Sequence, residues 1–543
     1  MDLDRRWMIT LLVSALLVLS GSPAHAELPV AQMHQAIDRG VDYLISQQQA
    51  NGCWPFDIDW VRGTTYDVGM TSLCTLALAH TRLPKAGAAV HKGLSYVTQH
   101  KPEPTTYTAG LIEMLLFENG AVQHKKLISR YALMTVLAQK RTGPQEGSWG
   151  YLLVDLQAAS GRQGRGGVPA PPRGRSDHSN SQFGVLALWY AQRAGYQVPV
   201  RCWKRVKKHY EATQHADGGW GYEANAGQGQ TTPSMTPASC VSLYLADEAL
   251  TSREHKQCKM VPENPAVERG MAWIGQRGVR GGPYTCYAIE RLGILTGRSE
   301  FGGHNWMEEG ARALIRGDWS GARGGERAGT AFAVLFLARA LEPIIINKLK
   351  RKGDWNNDAY DIKHLTEFIS VKFQYPKQWR IVTLDASVEE LLKVPILYTN
   401  GHEALAFTDA EKTKLKEYVN RGGTIFAMAC CARKEFDQSF RALVAELWPE
   451  NRLTPLPKEH TIYTNPRPLG TKPELLGMAL SKGQGRLGVI YSPHDMCCRW
   501  HMGGTRANPV FDVGANIYFY VAKVGVKLGG VREGYSLDTA KGE

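Results

Sequence analysis

Apolar residues recur at three- and four-residue spacing from about Leu28 to Leu341, and this pattern predicts a succession of helices. Clear apolar faces run along Met70–Leu78, Leu111–Leu116 and Val185–Ala191. Strand-like alternation of apolar and polar residues is scarce in this half. We therefore predict an all-α first half, interrupted by a Gly-, Arg- and Pro-rich surface loop at Ala158–Arg175.

Beyond Pro343 the pattern changes. Residues 342–378 are predicted to be a linker and domain entry, with a polar hinge formed by Ile344–Lys352 and Gly353–Asp358. From Trp379, strands alternate with helices. The predicted strands are Arg380–Leu384, Val394–Tyr398, Thr424–Ala429 and Arg486–Ser492. The predicted helices begin at the capping box Thr408–Glu411, at Phe436 and at Phe511. This alternation is typical of a mostly parallel sheet with helices on its faces, as in a Rossmann-like or flavodoxin-like domain.

One short motif returns along the helical half: a Gln that ends a helix, followed by a Gly-x-Trp turn. Its copies pair Gln48 with Trp54, Gln139 with Trp149 and Gln214 with Trp220, and a weaker copy ends at Trp319. A spacing of roughly 40 to 75 residues suits one helix hairpin per repeat. Each Trp ring can bury about 150–250 Å², so a structural role between adjacent hairpins is sufficient to explain it.

These copies resemble the repeats of the squalene-cyclase and prenyltransferase superfamily over Val30–Ala340. The resemblance implies an α/α toroid, a ring of concentric helices. It also implies an acidic Asp-x-Asp-Asp cluster in a terpenoid cyclase, and Asp, Cys and His zinc ligands in a protein prenyltransferase. The chain has no adjacent aspartates, Asp57-Ile-Asp59 being the nearest approach, and no Asp-x-Cys precedes a suitable His near Cys240 or Cys286. Cyclase or prenyltransferase catalysis is therefore only an alternative interpretation.

Polar residues on two predicted helices are candidates for a pocket inside the toroid. They are Asp177, His178, Gln182, Tyr287, Glu290 and Arg291. As a functional hypothesis, they face the centre and select an apolar or envelope-derived ligand. The structural alternative is a helix cap at Asp177 and an internal ion pair.

Three groups of residues whose side chains could catalyse a reaction or bind a metal each follow a predicted strand of the second half. They are Gly401-His402-Glu403, Cys430-Cys431, and His494-Asp495 with Cys497-Cys498. Because the carboxyl ends of parallel strands lie at one edge of a sheet, we expect these groups to share that edge.

Three roles for this edge stay open. Cys430 or Cys431 could be a nucleophile, with His402, His494 or Asp495 completing a hydrolase or amidotransferase-like site. Zinc is the second option, and its candidate ligands are Cys430, Cys431, Cys497, Cys498, His402, His494 and His501. A disulfide between the two cysteine pairs is the third.

The second half also resembles an uncharacterised bacterial domain found behind such toroids and, more distantly, the class I glutamine-amidotransferase-like sheet. The residues that carry this resemblance are Gly401–Ala404, Gly422-Gly423, Ala429–Cys431 and Tyr491–Pro493. The resemblance implies no reaction. Ala429–Arg433 lacks the glycines that flank the Cys in that family's nucleophile elbow.

The N-terminus and the composition indicate where the protein acts. Arg5-Arg6, the apolar run Met8–Leu19 and an Ala-x-Ala end at Ala26 are typical of a cleaved secretory signal. Export to the periplasm or cell envelope would place the ten cysteines in an oxidising compartment. The net charge of +13 is spread along the chain, so we expect no specific nucleic-acid partner, and no later segment predicts a membrane span.

We therefore predict a signal peptide at 1–26, a toroid at 28–341, a linker at 342–378, an α/β domain at 379–530 and a tail at 531–543. The predicted function is that of a ligand-binding or interaction protein, with no assigned enzymatic activity and zinc as the only candidate cofactor. A protein partner is an option, and a Cys/His hydrolase or amidotransferase-like enzyme is the alternative.

Overall fold

The computed structural model describes residues 29–56, 66–156, 169–225, 229–254, 262–317, 319, 325–480, 486–503 and 509–524. The predicted signal peptide and tail, Asp57 and Asp59, and most of the predicted surface loop at Ala158–Arg175 lie outside these residues. No helix among the described residues is both long enough and apolar enough to cross a membrane.

The first half is helical, as predicted. Its described helices are α1 (Val30–Gln47), α2 (Asp67–Thr81), α3 (Gly87–Gln99), α4 (Thr106–Glu118), α5 (Lys125–Ala138), α6 (His178–Arg193), α7 (Val200–Thr213), α8 (Met235–Glu254), α9 (Pro265–Gly275), α10 (Pro283–Thr296), α11 (Trp306–Arg316) and α12 (Gly325–Ala340). A short hairpin of β1 (Glu300–Phe301) and β2 (His304–Asn305) precedes α11.

Even- and odd-numbered helices differ in how much of their surface is buried. In α4, 11 of 13 residues are buried, as expected for a helix that is surrounded by protein. In α7, the buried residues are confined to one stripe, which includes Cys202, Trp203, Val206 and Tyr210. The even helices pack in a closed cycle, from α2 through α4, α6, α8, α10 and α12 back to α2, and the odd helices pack against them.

The three strong repeat copies share one set of contacts. The indole N–H groups of Trp54, Trp149 and Trp220 donate to carbonyl oxygens of the preceding helix at 2.7–2.9 Å. Each Trp backbone N–H donates to a hydroxyl group of the next even helix, at Thr71, Ser181 and Thr236. In the weaker copy, Trp319 donates to the Leu314 carbonyl at 2.9 Å.

The repeat glutamines connect neighbouring hairpins. The Gln48 side chain donates to the carbonyl of Gly52 in its own turn and to that of Ala89 in α3. Two copies repeat this bridge: Gln139 reaches Cys202 of α7, and Gln214 reaches Ala266 of α9. The Gln and Trp therefore fix how one hairpin packs on the next, which is the structural role predicted for them.

The second half is an α/β fold built on a seven-stranded sheet. Its strands are β3 (Ile344–Leu349), β4 (Gln378–Val382), β5 (Ile396–Gly401), β6 (Thr424–Ala429), β7 (Thr454–Pro455), β8 (Leu476–Ala479) and β9 (Leu487–Ser492). Their order is β4-β3-β5-β6-β9-β8-β7, with parallel pairing from β4 to β9 and antiparallel pairing from β9 to β7. The prediction of a mostly parallel sheet is confirmed.

Helices cover both faces of this sheet. The helices are α13 (Asp361–Lys372), α14 (Val388–Leu392), α15 (Asp409–Asn420), α16 (Lys434–Leu447), α17 (Cys497–His501) and α18 (Pro509–Val524). One apolar cluster packs α13, α17 and α18 on the first face, and another packs α14, α15 and α16 on the second.

The prediction of a polar hinge at Ile344–Lys352 is wrong, because Ile344–Leu349 is strand β3, between β4 and β5. Residues 345–349 are buried, and the charge of Lys348 is neutralised by Asp361 at 2.6 Å. A buried lysine with a carboxylate partner further along the chain made this strand look like a solvated segment.

Candidate metal centre

The parallel strands end at one edge of the sheet, as predicted. Gly401 at the end of β5 pairs with Ala429 at the end of β6, and β6 pairs in parallel with β9. His402, Cys430 and the segment before α17 therefore leave the sheet side by side. The loop after β3 brings Asp358 to the same edge. Asp358 was not among the predicted site residues, because its loop was predicted to belong to the polar hinge.

Cys430 and Cys431 lie in a sharp turn between β6 and α16. Met428 and Cys430 contribute to the core on the α13 side of the sheet, since side chains alternate along a strand. Cys431 and Ala432 both have φ of +52°, a left-handed conformation that costs a non-glycine residue about 1–2 kcal/mol. The turn leaves Cys430 fully buried and Cys431 exposed.

The short helix α17 supplies the second cysteine pair. Sδ of Met428 accepts hydrogen bonds from the backbone N–H groups of Met496 and Cys497, both at 3.2 Å. Oδ1 of Asp495 accepts the backbone N–H of Cys498 at 3.1 Å and lies 3.3 Å from Sγ of Cys497. These contacts hold the start of α17 against the end of β6.

Two groups of ligand atoms result, and within each group the atoms lie within 4.8 Å of one another. The inner group is Asp358, Cys430 and Cys497, which are all fully buried. Sγ of Cys430 lies 3.1 Å from Oδ2 of Asp358. The outer group is Cys430, Cys431, Asp495 and Cys498. Thiolates and carboxylates are ligands that zinc accepts, so the arrangement could hold a metal ion.

The predicted disulfide between the two cysteine pairs is absent. Cys430, Cys431 and Cys497 are free thiols. Sγ of Cys498 lies 4.0 Å from that of Cys430 and 3.9 Å from that of Cys431, well beyond a bond length of about 2.0 Å. Cys498 is itself disulfide-bonded, but to none of these three. The inner group is therefore the one with all its thiols available.

The environment of these thiols disfavours a free thiolate. A hydrogen bond with Cys497 lowers the pKa of Cys430, but burial and the Asp358 carboxylate raise it overall to about 12. Burial also raises the pKa of Cys497 well above its ordinary value, and raises that of Cys431. A nucleophilic thiolate needs the opposite shift. A bound cation, by contrast, deprotonates a coordinating thiol by its own charge.

The two predicted histidine bases contact carboxylates. Nδ1 of His402 lies 3.6 Å from Oδ2 of Asp354, an oxygen that also accepts the backbone N–H of Glu403. Nε2 of His494 lies 3.2 Å from Oε2 of Glu474, and the His494 side chain is more than half exposed. The structure gives neither histidine a contact with a cysteine sulfur among the described residues, so no Cys/His dyad is assembled. The third histidine candidate, His501, is buried, with Nδ1 4.0 Å from Oδ1 of Asp358.

A buried polar layer supports the inner group from below. Nζ of Lys348 donates to the Asp358 carbonyl at 2.7 Å and to Oδ1 of Asp361 at 2.6 Å. The other carboxylate oxygen of Asp361 accepts from Tyr398 at 3.0 Å and from Asn400 at 3.2 Å. Lys348 thereby ties the loop that carries Asp358 to the end of β3. Lys348 and Asn400, polar residues in strands that begin with apolar residues, were the available sequence signal.

Of the six pocket candidates in the helical half, the N-cap residue of α6 and two residues in its first turns make structural contacts. Asp177 caps the helix, since its side chain accepts the Asn180 N–H at 2.6 Å. His178 is fully buried, with Nδ1 2.7 Å from the Gly221 carbonyl, and burial lowers its pKa to about 4. Gln182 donates to the Tyr284 hydroxyl.

The three candidates on α10 belong to a buried charged network. Oε1 of Glu290 lies 3.1 Å from Nε of Arg339, and Arg291 donates to the Tyr287 hydroxyl on its own helix. Two surface cavities, one of about 310 Å³ beside Trp273 and one of about 120 Å³ beside His80, are lined by none of the six candidates. Helix capping, ion pairing and hydrogen bonds to neighbouring protein groups therefore account for the contacts of these residues.

Residues 345–523 match a family described as a domain of unknown function (DUF4159). This match covers the sheet, its helices and both groups of ligand atoms. No curated protein matches the chain.

Three solved structures of the type II terpene cyclase MstE from Scytonema are similar to 57% of the chain. A variant in complex with its substrate, geranylgeranyl dihydroxybenzoate, is 14% identical over 97% of its own chain, with a TM-score of 0.35. A variant in complex with its product, merosterolic acid A, is 15% identical over 98%, with a TM-score of 0.38. The apo enzyme is 13% identical over 98%, with a TM-score of 0.35.

Proposed function

We propose that this protein is a binding protein whose α/β half holds one soft divalent metal ion, zinc in the first instance, between Asp358, Cys430 and Cys497. One observation carries the proposal. Three ligand atoms from three separate segments lie within 4.8 Å of one another in a fully buried position. Burying two thiols and a carboxylate together costs free energy that a metal ion between them would offset.

The spacing of the inner group suits a zinc ion after a small adjustment. Zn–S and Zn–O bonds of about 2.3 and 2.0 Å at a tetrahedral angle separate sulfur and oxygen by about 3.5 Å. Sγ of Cys430 and Oδ2 of Asp358 are 3.1 Å apart, so a movement of a few tenths of an ångström opens the site. Three protein ligands leave a fourth position for a water molecule or an exogenous ligand.

We propose further that the helical half is an α/α toroid that binds a partner without catalysing a reaction. The closed cycle of six even-numbered helices supports the ring. The contacts of the pocket candidates support a noncatalytic role, because Glu290 is paired with Arg339 and Asp177 caps a helix. We expect an apolar or envelope-derived ligand, or a protein partner, to bind at its surface.

In this proposal the chain has a secretory signal at 1–26, a toroid at 28–341 and an α/β domain that begins at β3, and it acts in the periplasm or cell envelope. The early start of the α/β domain follows from Ile344–Leu349 being a central strand. A Cys/His hydrolase is not proposed, because His402 and His494 both pair with carboxylates and burial raises the pKa of Cys431.

Metal analysis of the purified full chain tests the proposal. After zinc loading and desalting, native mass spectrometry and elemental analysis should give one zinc ion per chain. Asp358→Asn and Cys497→Ala should each reduce the zinc content at least tenfold, while circular dichroism and thermal unfolding report whether each variant is folded. Cys240→Ala is the matched control, since Cys240 is a free, fully buried cysteine of α8. No bound zinc in the wild type, or an equal loss in Cys240→Ala, would refute the proposal.

A further inference from the structure

The outer group shares Cys430 with the inner group. Its other members lie around that shared sulfur, with Sγ of Cys498 4.0 Å from Cys430 and 3.9 Å from Cys431. Two thiolates bound tetrahedrally to one zinc ion at about 2.3 Å are about 3.8 Å apart. Sγ of Cys498 is therefore already at the spacing of a thiolate site from both of the other sulfurs.

We propose that the cluster takes a second soft divalent ion at Cys430, Cys431, Asp495 and Cys498, bridged to the first ion by the Cys430 sulfur, and that the redox state of Cys498 controls whether this ion binds. The inference rests on the proposed function, because the first ion fills the inner group. Beyond that function, it assigns a second metal site and makes the filling of that site depend on the reduction of Cys498.

The strained turn after β6 is the feature that makes the outer group. Adjacent residues of an extended strand point to opposite faces, so two neighbouring cysteines would normally direct their sulfurs apart. Here Cys431 and Ala432 both adopt φ of +52°. As a result both Cys430 and Cys431 place Sγ within 4.0 Å of Cys498. Two non-glycine residues in the left-handed conformation cost about 2–4 kcal/mol together. Placing both cysteine sulfurs beside Cys498 for metal binding would explain why this strain is kept.

The carboxylate of the outer group is also held in place. Oδ1 of Asp495 accepts the backbone N–H of Cys498 at 3.1 Å, which fixes it at the first turn of α17. Sγ of Cys497 lies 3.3 Å from the same oxygen. Asp495 thus sits between the inner and outer groups, and the exposed Cys431 gives an ion access from the surface.

The oxidation state of Cys498 determines whether the second ion can bind. A sulfur in a disulfide has no thiolate to donate, and Cys498 is disulfide-bonded. A phosphine reductant cleaves that S–S bond by supplying two electrons. It becomes the phosphine oxide with oxygen from water, and each sulfur takes one proton. The freed Cys498 thiol then loses its proton when it binds the metal. The oxidised chain should therefore bind one ion and the reduced chain two.

Zinc stoichiometry with and without a phosphine reductant tests the inference. The full chain is loaded with Zn²⁺ in each state, desalted and measured by native mass spectrometry. We expect one ion before reduction and two after it. Cys431→Ala and Asp495→Asn should hold one ion in both states. Asp358→Asn should hold none when oxidised and one when reduced.

The outcomes separate the two proposals. A wild type that holds one ion in both states contradicts the second site and leaves the proposed function standing. A wild type that holds no ion in either state contradicts the proposed function. An increase from one to two ions that also occurs in Cys431→Ala places the second ion elsewhere and overturns the inference. Cys202→Ala, at a buried free cysteine of α7, should behave like the wild type.

Discussion

Glu113 is a buried acid on α4 that pairs with no charged side chain among the described residues. Its side chain is fully buried, and neither carboxylate oxygen makes a hydrogen bond of good geometry with a described residue. Burial raises the pKa of Glu113 well above its ordinary value. Burial therefore favours the neutral, protonated form of this acid in the folded protein.

Glu113→Gln should stabilise the protein at pH 7 and have little effect at pH 4. The folded state holds this proton more tightly than the unfolded chain. Wild-type stability therefore falls as the pH rises above about 4.3, where the unfolded glutamate ionises. Glutamine does not titrate, so the free energy of unfolding should rise by about 1–3 kcal/mol at pH 7. Urea unfolding at both pH values measures the difference.

Glu118→Gln is the control from the same helix. Oε2 of Glu118 lies 2.8 Å from Nε2 of His80, and this pair lowers the pKa of Glu118 even though burial opposes the shift. Removing that charge should destabilise the protein at pH 7. A loss of stability in Glu113→Gln at pH 7, or a gain that is the same at both pH values, would contradict the account of Glu113.

Each strong repeat turn depends on one glycine. Gly52, Gly147 and Gly218 have φ of +90°, +92° and +91°. A Cβ at Gly147 would lie 2.3 Å from the Arg205 carbonyl oxygen, a contact that no real Cβ tolerates. The turn is therefore both left-handed and pressed against the next hairpin, the same hairpin that Gln139 reaches through Cys202.

Gly147→Ala should lower the free energy of unfolding by about 2–4 kcal/mol, because it adds a clash with backbone to the cost of a left-handed alanine. Gly143→Ala is the matched substitution in the same loop. Gly143 has φ of +82°, but a Cβ there would meet no described atom within 4 Å. It should cost only about 1–2 kcal/mol. Equal losses in chemical unfolding would show that contact with the next hairpin is unimportant.

The sequence predicted the Gln and Trp of each repeat turn, but not the hydroxyl group on the next helix that the Trp backbone contacts. Gln48 and Trp54 were identifiable because they lie six residues apart. Thr71, which accepts the Trp54 backbone N–H, lies on the next helix at no recurring spacing. Ser181 and Thr236 were missed for the same reason.

The sheet edge shows the same limit. The carboxyl ends of parallel strands lie at one edge of a sheet whatever the strand order, so the two cysteine pairs could be placed at that edge from the sequence. Asp358 could not, because its strand was hidden by Lys348, whose partner Asp361 lies in the following helix. The directions of His402 and His494 depend on the carboxylates beside them, which the positions of the histidines in the sequence do not reveal.

In the whole molecule, the helical half covers one edge of the sheet. Strand β4 is one of the two edge strands, and its Ile381 N–H donates to the Gly297 carbonyl at the end of α10, at 2.7 Å. A Cβ at Gly297 would lie 2.7 Å from the Trp379 ring, so β4 fits closely against this glycine. An edge strand covered in this way is not free to pair with another chain.

A buried charge network joins the halves at a second place. Oε1 of Glu248 on α8 lies 2.9 Å from Nζ of Lys363 and 2.7 Å from Nε2 of His364, both on α13. Glu367 of the same helix lies 2.9 Å from Arg193 of α6. Burial raises the pKa of Glu248, but Lys363 and His364 outweigh it and hold that pKa below its ordinary value.

Glu248→Gln should weaken the coupling between the halves at neutral pH. Because the folded pKa of Glu248 is lowered, its contribution is present above the unfolded pKa of about 4.3 and is lost as the pH falls through the folded value. The variant lacks the contribution at every pH. It should lose about 1–3 kcal/mol at pH 7 and unfold in two calorimetric transitions, while the wild type unfolds in one.

Glu223→Gln, which removes the exposed pair with Arg175, should cost less than about 0.5 kcal/mol and keep one transition. If Glu248→Gln unfolds at the wild-type temperature in one transition, the halves are held together by the β4 edge and not by this network.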